Sequence, residues 1–454
     1  MARPFYEKLD WTVVICTVLL AVVSLLTLYS VSSSGGGRTD VVVRQMGWFL
    51  LGFLLVAIVT SIDYHILSAL AYPIYIAVAV ALGAVLAIAP VVQGSQRWIK
   101  VGPVSLQPSE LAKISLILVL AKYFSSKKKE TVYVTDLIFS GILLGIFVVL
   151  IIKEPDLGTS VLLLPIFAAI VFVAGLDLRP VLRILLFRPL LILLVGGILV
   201  SSLYKIQLEN YWKITDFSLE TLQQQEVPPE ILERLEGLKD KEYTTEKKFL
   251  GDVAQKIGKE RVAPYQAAVL EYSRPKIRLI STPFMLMWLN LKDYQRNRLR
   301  AFIDPDSDPL GSGYHIIQSQ IAIGSGGFLG KGYMNGTQSQ LKFLPEQFTD
   351  FIFSVFSEEW GFVGSVGLLS VYLTLILKGL SIAAKAKDKL GKLIAVGVVT
   401  IFLVHIYVNV GVTTGIMPVT GLTLPLISYG GSSIFSTSIA LGLLLNVSYR
   451  RFDF

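Results

Sequence analysis

Cysteine and histidine are nearly absent from this 454-residue chain. The single cysteine, Cys16, excludes an intramolecular disulfide and any cysteine-based metal site. The three histidines, His65, His315 and His405, are scattered and form no ligand pair at helical spacing. Charge is scarce too: Asp, Glu, Lys and Arg make up 16% of the residues and 53% are hydrophobic, against roughly a quarter charged in soluble globular proteins. That balance excludes an ordinary soluble chain and points to a polytopic membrane protein. A nucleotide-cradling loop is also missing, because Gly324-Ser325-Gly326-Gly327 and Gly330-Lys331-Gly332 lack the strand-to-helix context of a phosphate loop. The net charge of +8 is not a nucleic-acid footprint, since its basic residues gather in short loops between apolar runs. No nucleic-acid partner is expected.

What is present is a series of long apolar runs. A helix needs roughly 20 mainly apolar residues to cross a bilayer. Runs at about 11–31, 46–62, 67–90, 108–124, 134–152, 158–175, 184–205, 351–378, 393–413 and 424–447 approach or meet that length. They predict an all-α polytopic membrane protein of about ten transmembrane helices. The run from Trp11 to Tyr29 has no convincing cleavage site after it and reads as a retained helix. Ten crossings put both termini on one side. Lys127, Lys128, Lys129, Arg179, Arg183, Lys385, Lys387, Lys389, Lys392, Arg450 and Arg451 fall in one set of loops, while the opposite loops hold Arg38, Arg44, Arg97, Lys100 and Lys153. Basic residues favour cytoplasmic loops, so both termini are expected in the cytoplasm. Residues 97–100, 153–156 and 206–350 then face outward, where soluble cytoplasmic nucleotides are not expected reactants.

The chain divides accordingly into helices one to seven (1–205), a polar extracellular insert (206–274), an extracellular loop (275–350) and helices eight to ten (351–454). In the insert, Pro228-Pro229-Glu230 followed by Ile231, Leu232, Leu235 and Leu238 predicts a short amphipathic helix, and Phe249, Leu250, Val253 and Ile257 predict another. This stretch reads as a solvated appendage or partner surface. The loop that follows mixes Gly, amides, basic residues and aromatics, a composition suited to a membrane-surface cleft for a polar headgroup.

One acidic residue stands out. Asp350 closes the run Phe343-Leu344-Pro345-Glu346-Gln347-Phe348-Thr349-Asp350, at the mouth of an apolar helix. An ionisable group there is costly unless it reacts, binds an ion or pairs. Asp is also a favoured helix N-cap, so the residues alone leave cap and catalyst open. Glu358 and Glu359 follow two to three turns into the helix, and at least one must face inward.

Several motifs in order resemble the SEDS family of polytopic membrane proteins, which polymerise lipid II into the glycan strands of peptidoglycan. They are Arg97-Trp98-Ile99 with Gln107-Pro108-Ser109-Glu110 and Lys113, Glu154-Pro155-Asp156-Leu157-Gly158-Thr159, Asp293-Tyr294-Gln295-Arg296, residues 343–353, and Leu424-Pro425-Leu426-Ile427-Ser428-Tyr429-Gly430-Gly431-Ser432-Ser433. The resemblance covers nearly the whole chain outside 206–274. Gly336-Thr337-Gln338-Ser339-Gln340 ahead of Phe343-Leu344 is more similar to the elongation-type (RodA) branch than to the division-type (FtsW) branch. Two departures stand out: the polar insert interrupts the seventh helix of the family pattern, and Glu154 occupies the place of the usual Gln.

The resemblance implies a bacterial cytoplasmic (inner) membrane location, an active site on the outer face, and Asp350 as the essential carboxylate. Growing a β-linked glycan from an α-linked sugar diphosphate inverts the anomeric carbon. One carboxylate can take the proton of the attacking hydroxyl, while cations neutralise the leaving lipid diphosphate. Arg97, Lys100 and Lys113 are candidates for the diphosphate, with interfacial snorkelling as the alternative for Arg97 and Lys100. Lys113 shares a helix face with Glu110, so a buried pair is the other reading for both. Trp98 stacks on a sugar or anchors its loop. Glu346 pairs with Lys342 or Arg296 in preference to sharing a divalent cation (Mg2+ or Mn2+) with Asp350. Arg296, Gln338 and Ser428 lie in the motifs and join the substrate-binding set. Asp156 is expected to cap the helix after it, and the 421–433 run to form a cavity wall. No organic cofactor is expected. The expected partners are lipid II, the growing glycan strand, membrane lipids and a class B penicillin-binding protein, the single-span transpeptidase. The rival functions are a lipid II flippase, to which intramembrane charges would point, and a scaffold for wall-building proteins.

Overall fold

In the computed structural model the structure describes residues 9–33, 40–88, 97–101, 104–127, 131–154, 156–176, 212–214, 219–220, 222–223, 227–239, 241–243, 246–258, 265, 269–270, 273, 298, 301–302, 312–341, 343–344 and 346–451. The predicted seventh span at about 184–205, Arg296, Lys342 and residues 280–291 lie outside the described residues. The chain forms two compact units, Met1–Leu178 with Asn297–Phe454, and Arg179–Arg296.

The first unit is a helical bundle that begins with α1 (Trp11–Ser33), α2 (Asp40–Ser61), α3 (Tyr64–Ala69), α4 (Ala71–Ile88), α5 (Pro108–Ser125), α6 (Val134–Lys153) and α7 (Leu157–Val173). The later helices are α10 (Ser312–Gly326), α11 (Thr337–Gln340), α12 (Ile352–Ala384), α13 (Lys389–Thr413) and α14 (Gly431–Arg450). Among the described residues six helices, α1, α2, α6, α12, α13 and α14, are long and apolar enough to cross a membrane. Shorter apolar helices lie at Ala71–Ala87 and Gly158–Val173. The protein is therefore a multi-pass, all-α membrane protein.

Glycines let the helices close on one another, since a missing Cβ allows near backbone contact. Gly52 of α2 lies against Ser438 and Ile434 of α14, and Gly442 of α14 against Val59. Buried polar side chains tie α1 and α2 to the segment before α14 and α14 to α2: Ser24 Oγ donates to Ile427 O at 2.7 Å, Gln45 Nε2 to Ser428 O at 3.2 Å, and Asn446 Nδ2 to Val59 O at 2.6 Å. Such bonds matter where no water competes for them.

Three observations refine the predicted spans. α2 starts at Asp40 and not near residue 46. The last helix starts at Gly431 and not near residue 424, because Pro425, Leu426 at φ 64° and Gly430 at φ 158° cannot continue a helix. α12 reaches Ala384 but is broken at Gly361, where φ is 65°.

That break lies about 14 Å along α12 from its start. A loop repairs it: Lys331 N donates to Glu358 O and Gly332 N to Glu359 O (both 3.0 Å), while Phe362 N donates to Gly327 O at 2.9 Å and Val363 N to Phe328 O at 3.1 Å. Non-helical backbone at membrane depth persists only when protein satisfies it in this way. Glu358 and Glu359 are both buried. Glu358 accepts from Lys331 Nζ at 2.7 Å, Thr337 Oγ1 at 3.1 Å, and the amides of Gln338 at 3.0 Å and Ser339 at 3.3 Å. Glu359 accepts from Ser30 Oγ of α1. Residues 312–341, read from sequence as outer loop, are thus partly a 15-residue helix, α10, tied to the membrane helices. Its Ser319 Oγ bonds Ser354 Oγ of α12 and Thr413 O of α13, each at 2.6 Å.

The chain ends share one side. Asp10, just before α1, meets Lys378 near the end of α12 at 3.3 Å, and Arg450 closes α14 beside Asp63 at 3.7 Å. At this end His65 bridges two carboxylates, with Nδ1 2.8 Å from Asp63 and Nε2 2.7 Å from Asp388, the N-cap of α13. Partial burial lowers the His65 pKa, but hydrogen bonds to Asp63 and Asp388 outweigh it and hold it above the ordinary value. A raised histidine contributes stability in full below its unfolded pKa and loses it as pH rises through its folded pKa. His65→Ala is therefore expected to lower the melting temperature at pH 6 and to change it less at pH 9. The group is half exposed, so about 0.5 kcal/mol is expected. Equal effects at both pH values would show that the bridge carries no charge.

The second unit contains α8 (Pro229–Glu236), α9 (Glu246–Ile257) and a short antiparallel pair, β3 (Trp212–Lys213) with β4 (Glu242–Tyr243), in the register Trp212 to Tyr243. Both predicted amphipathic segments are helices. Their apolar faces meet in a core that includes Ile231, Leu235, Phe249, Val253 and Ile257. Pro229 opens α8 at a position where its missing N–H costs nothing.

Candidate active site

At the end of the bundle opposite the chain ends, a polar cleft of about 370 Å³ opens. Its wall begins with β1 (Ile99–Val101) and β2 (Val104–Leu106), paired from Ile99 with Leu106 to Val101 with Val104. Ser432, at the start of α14, holds this hairpin: its Oγ donates to Ser105 O at 2.7 Å and accepts from Gln107 N at 3.1 Å. Pro108 then opens α5.

Asp156 caps α7 as expected, accepting from Thr159 N at 3.2 Å. Its carboxylate also takes Gln107 Nε2 and Thr159 Oγ1, both at 2.9 Å, and Ser109 Oγ at 3.2 Å. It joins the hairpin, α5 and α7 at one point.

The backbone around Asp350 is strapped from two directions. Asn409 Nδ2 of α13 donates to Asp350 O at 2.9 Å and to Leu422 O at 2.8 Å. Ser428 Oγ donates to Thr349 O at 2.7 Å and accepts from Leu424 N at 2.8 Å, and Tyr429 N donates to Phe348 O at 2.8 Å. The N-cap of α12 is Phe351, with no side-chain cap bond. Asp350 is therefore not the cap, and its carboxyl lines the cleft. Burial raises its pKa, the Arg298 cation lowers it and Glu346 raises it, with a net value of about 6. A Cβ on Gly421 would stand 3.8 Å from Asp350 Oδ2 and 3.9 Å from Arg298 Nη1, so this glycine, at φ 79°, lets the loop approach both groups.

The cleft gathers some of the residues expected from sequence and not others. Arg97, Trp98, Glu110, Glu346 and Asp350 line it. Lys113 lies beneath it: its ammonium is 2.8 Å from Glu110 and 2.9 Å from His405 Nε2, and the residue is 2% exposed. His405 Nδ1 lies 3.0 Å from Thr423 O. A carbonyl only accepts, so Nδ1 carries the proton and Nε2 accepts from Lys113. Lys113 is thus spent on a buried network that also includes Ser436 Oγ, 2.5 Å from Glu110. Gln338 is held in the Glu358 loop and does not line the cleft, and Ser428 acts as a strap behind Asp350. Glu346 is exposed, and its carboxylate accepts from Thr349 Oγ1 at 3.3 Å. Lys100 lies in β1, and its side chain is outside the described residues, as are Arg296 and Lys342.

Sequence reasoning missed Arg298. It lines the cleft, and its Nη1 donates to Val419 O at 3.3 Å. The only signal was its place in the basic run that follows Asp293, where the motif drew attention to Arg296. Among the described residues no group of three or more His, Cys, Asp or Glu is placed to hold a metal ion. Asp350 already feels the positive charge of Arg298 and Arg97.

The buried network makes a prediction. Lys113→Met leaves Glu110 without its ammonium and is expected to cost about 3–5 kcal/mol, read as a large fall in melting temperature. Adding Glu110→Gln should recover part of it. No recovery in the double variant would mean that packing, not the ion pair, is what Lys113 supplies.

A family of cell cycle proteins grouping FtsW, RodA and SpoVE matches residues 7–220 and 268–452. The chain belongs to this family. It is 36% identical over 451 residues to the peptidoglycan glycosyltransferase RodA of Treponema pallidum, covering 97% of this chain and 98% of that one. It is 32% identical to the peptidoglycan glycosyltransferase MrdB of Escherichia coli, covering 99% and 96%. Among solved structures, a chain from a study titled "Structural coordination of polymerization and crosslinking by a peptidoglycan synthase complex" superposes with a TM-score of 0.65 at 29% identity, covering 98% of this chain and 99% of that one. The family match leaves 221–267 out, a stretch inside the polar insert.

Proposed function

We propose that this protein is the peptidoglycan glycosyltransferase of cell elongation, polymerising lipid II into glycan strands on the outer face of the cytoplasmic membrane. The observation that carries the reading is Asp350. It is a carboxyl with a pKa near 6 in a polar cleft that also contains Arg298 and Arg97. The names of its relatives support the same activity. The outer-face assignment rests on the basic residues of the opposite loops and on the chain ends sharing the side away from the cleft.

The chemistry follows from what each group does best. Ionised Asp350 accepts the proton of the acceptor sugar hydroxyl as that oxygen attacks the donor's anomeric carbon. The carbon–oxygen bond to the diphosphate breaks as the glycosidic bond forms, with inversion. Arg97 and Arg298 meet the charge that grows on the leaving diphosphate. Trp98 offers a flat face for a sugar ring. The burial that raises the pKa of Asp350 also matches it to proton transfer near neutral pH. A class B penicillin-binding protein is the partner that would cross-link the product, in keeping with the synthase complex among the structural neighbours.

The test is polymerisation of labelled lipid II by purified protein, alone and with its transpeptidase, whose own active site is blocked. Glycan polymer from the wild type supports the assignment. Absence of polymer, with lipid II crossing vesicle bilayers instead, would make the protein a flippase. Neither activity would leave a scaffold.

A further inference from the structure

Glu154 and Asp156 are two residues apart, yet their surroundings are opposite. Asp156 is met by donors from Gln107, Ser109 and Thr159. Glu154, the C-cap of α6, is 0% exposed, and among the described residues neither carboxyl oxygen has a hydrogen-bond partner. The buried Glu110 and Glu358 are each met by a lysine instead. A buried carboxylate with no donor is costly, so Glu154 is stable only as the neutral acid. Burial pushes its pKa up to about 8, with Asp156 adding to the rise and Arg97 opposing it. Among the described residues the charged groups acting on it are Asp156, from the turn before α7, and Arg97, from the segment before β1. Its chain neighbour Lys153 is exposed.

Arg97 touches the same residue by another route. Its Nε donates to Glu154 O at 3.1 Å, which anchors the root of the guanidinium beside the orphaned carboxyl while the residue lines the cleft. We propose that Glu154 is a positioning residue that sets where the Arg97 guanidinium is directed: neutral, it leaves that cation to an anionic phosphate in the cleft, and ionised, it draws the cation onto itself. The proposal rests on reading the cleft as the diphosphate site. Two neighbouring carboxyls in different surroundings can take different roles. Here Asp156 fixes the wall and Glu154 gates the cation. A glutamine at 154 has the same shape but no ionised state, so it holds the arrangement suited to phosphate binding at every pH.

Full-length wild type and Glu154→Gln are to be compared between pH 6.5 and 9.5. In the wild type, kcat/KM for lipid II is expected to fall about tenfold per pH unit above the transition, with the loss in KM rather than kcat. Glu154→Gln is expected to lack that fall. The same fall in both variants, or a fall carried by kcat, would overturn the proposal. A second readout needs no catalysis. The infrared difference spectrum, wild type minus Glu154→Gln, should contain a protonated carboxyl band at pH 6.5 that is lost by pH 9.5, with the contribution of Asp350 common to both variants cancelling. Inorganic pyrophosphate should bind the wild type more weakly at pH 9.5 than at pH 6.5, with a smaller change in Glu154→Gln. If polymerisation fails altogether while the band and the pyrophosphate shift hold, the function reading is wrong and the gate stands. If polymerisation proceeds and the band is missing, the gate is wrong.

Discussion

Asp350→Asn is expected to remove polymerisation of lipid II, lowering the rate by roughly 10²–10⁴-fold, the usual contribution of a positioned general base. The substitution keeps the shape of the side chain and removes only its basicity. Asp350 makes no capping bond to α12, so no helix terminus is lost with it. Its pKa is raised by burial, so ionisation of Asp350 disfavours the folded state at neutral pH. The variant should therefore melt at or above the wild-type temperature, which separates lost chemistry from lost fold. The wild-type rate should also rise with pH through about 6 as the carboxyl ionises. Polymer formation by a well-folded Asp350→Asn protein at the wild-type rate would remove Asp350 from the mechanism.

Arg298→Ala is expected to have the next largest effect, roughly 10²-fold, comparable to deleting one preorganised donor aimed at developing charge. The effect has two separable parts. One is loss of the cation beside the leaving diphosphate. The other acts on Asp350, whose pKa Arg298 lowers, so without it the acid limb of the pH–rate profile should move to higher pH. Arg298→Lys keeps the charge but not the planar fork. It should restore the pH profile more fully than the rate. An unmoved acid limb in Arg298→Ala, with the rate intact, would show that Arg298 does no more than hold the loop through Val419.

The parts of the site that were legible in sequence were those with a local cause. Asp156 reads as a cap because an Asp directly before a helical run has one common use, and the structure uses it that way. The run at 421–433 reads as irregular because Pro425 and the adjacent Gly430 and Gly431 break helical periodicity, and its residues line the cleft. What was not legible were choices between partners. Lys113 was equally compatible with a phosphate and with Glu110. The fold decides for Glu110 and adds His405, 292 residues away. Gln338 and Ser428 carry polar groups in the right motifs, but the first gives its backbone amide to Glu358 and the second its hydroxyl to Thr349. α10 was hidden because its 15 residues mix apolar positions with Gln, Ser and Gly. It is held by bonds to α12 and α13 that no local pattern announces.

The sequence by itself determined that this chain is a multi-helix membrane protein. Bilayer thickness imposes a length on apolar runs, and the scarcity of charge between loops leaves few alternatives. It also determined that Asp350 needs an explanation, because a carboxylate at a membrane-helix mouth is costly. Tertiary structure alone decided which cations meet that carboxylate, which lysine is buried, and that Glu154 lacks the donors given to Asp156 two residues away. The reason is range. Helix length and capping are set within a few residues, whereas burial and charge pairing depend on groups brought together from hundreds of residues apart.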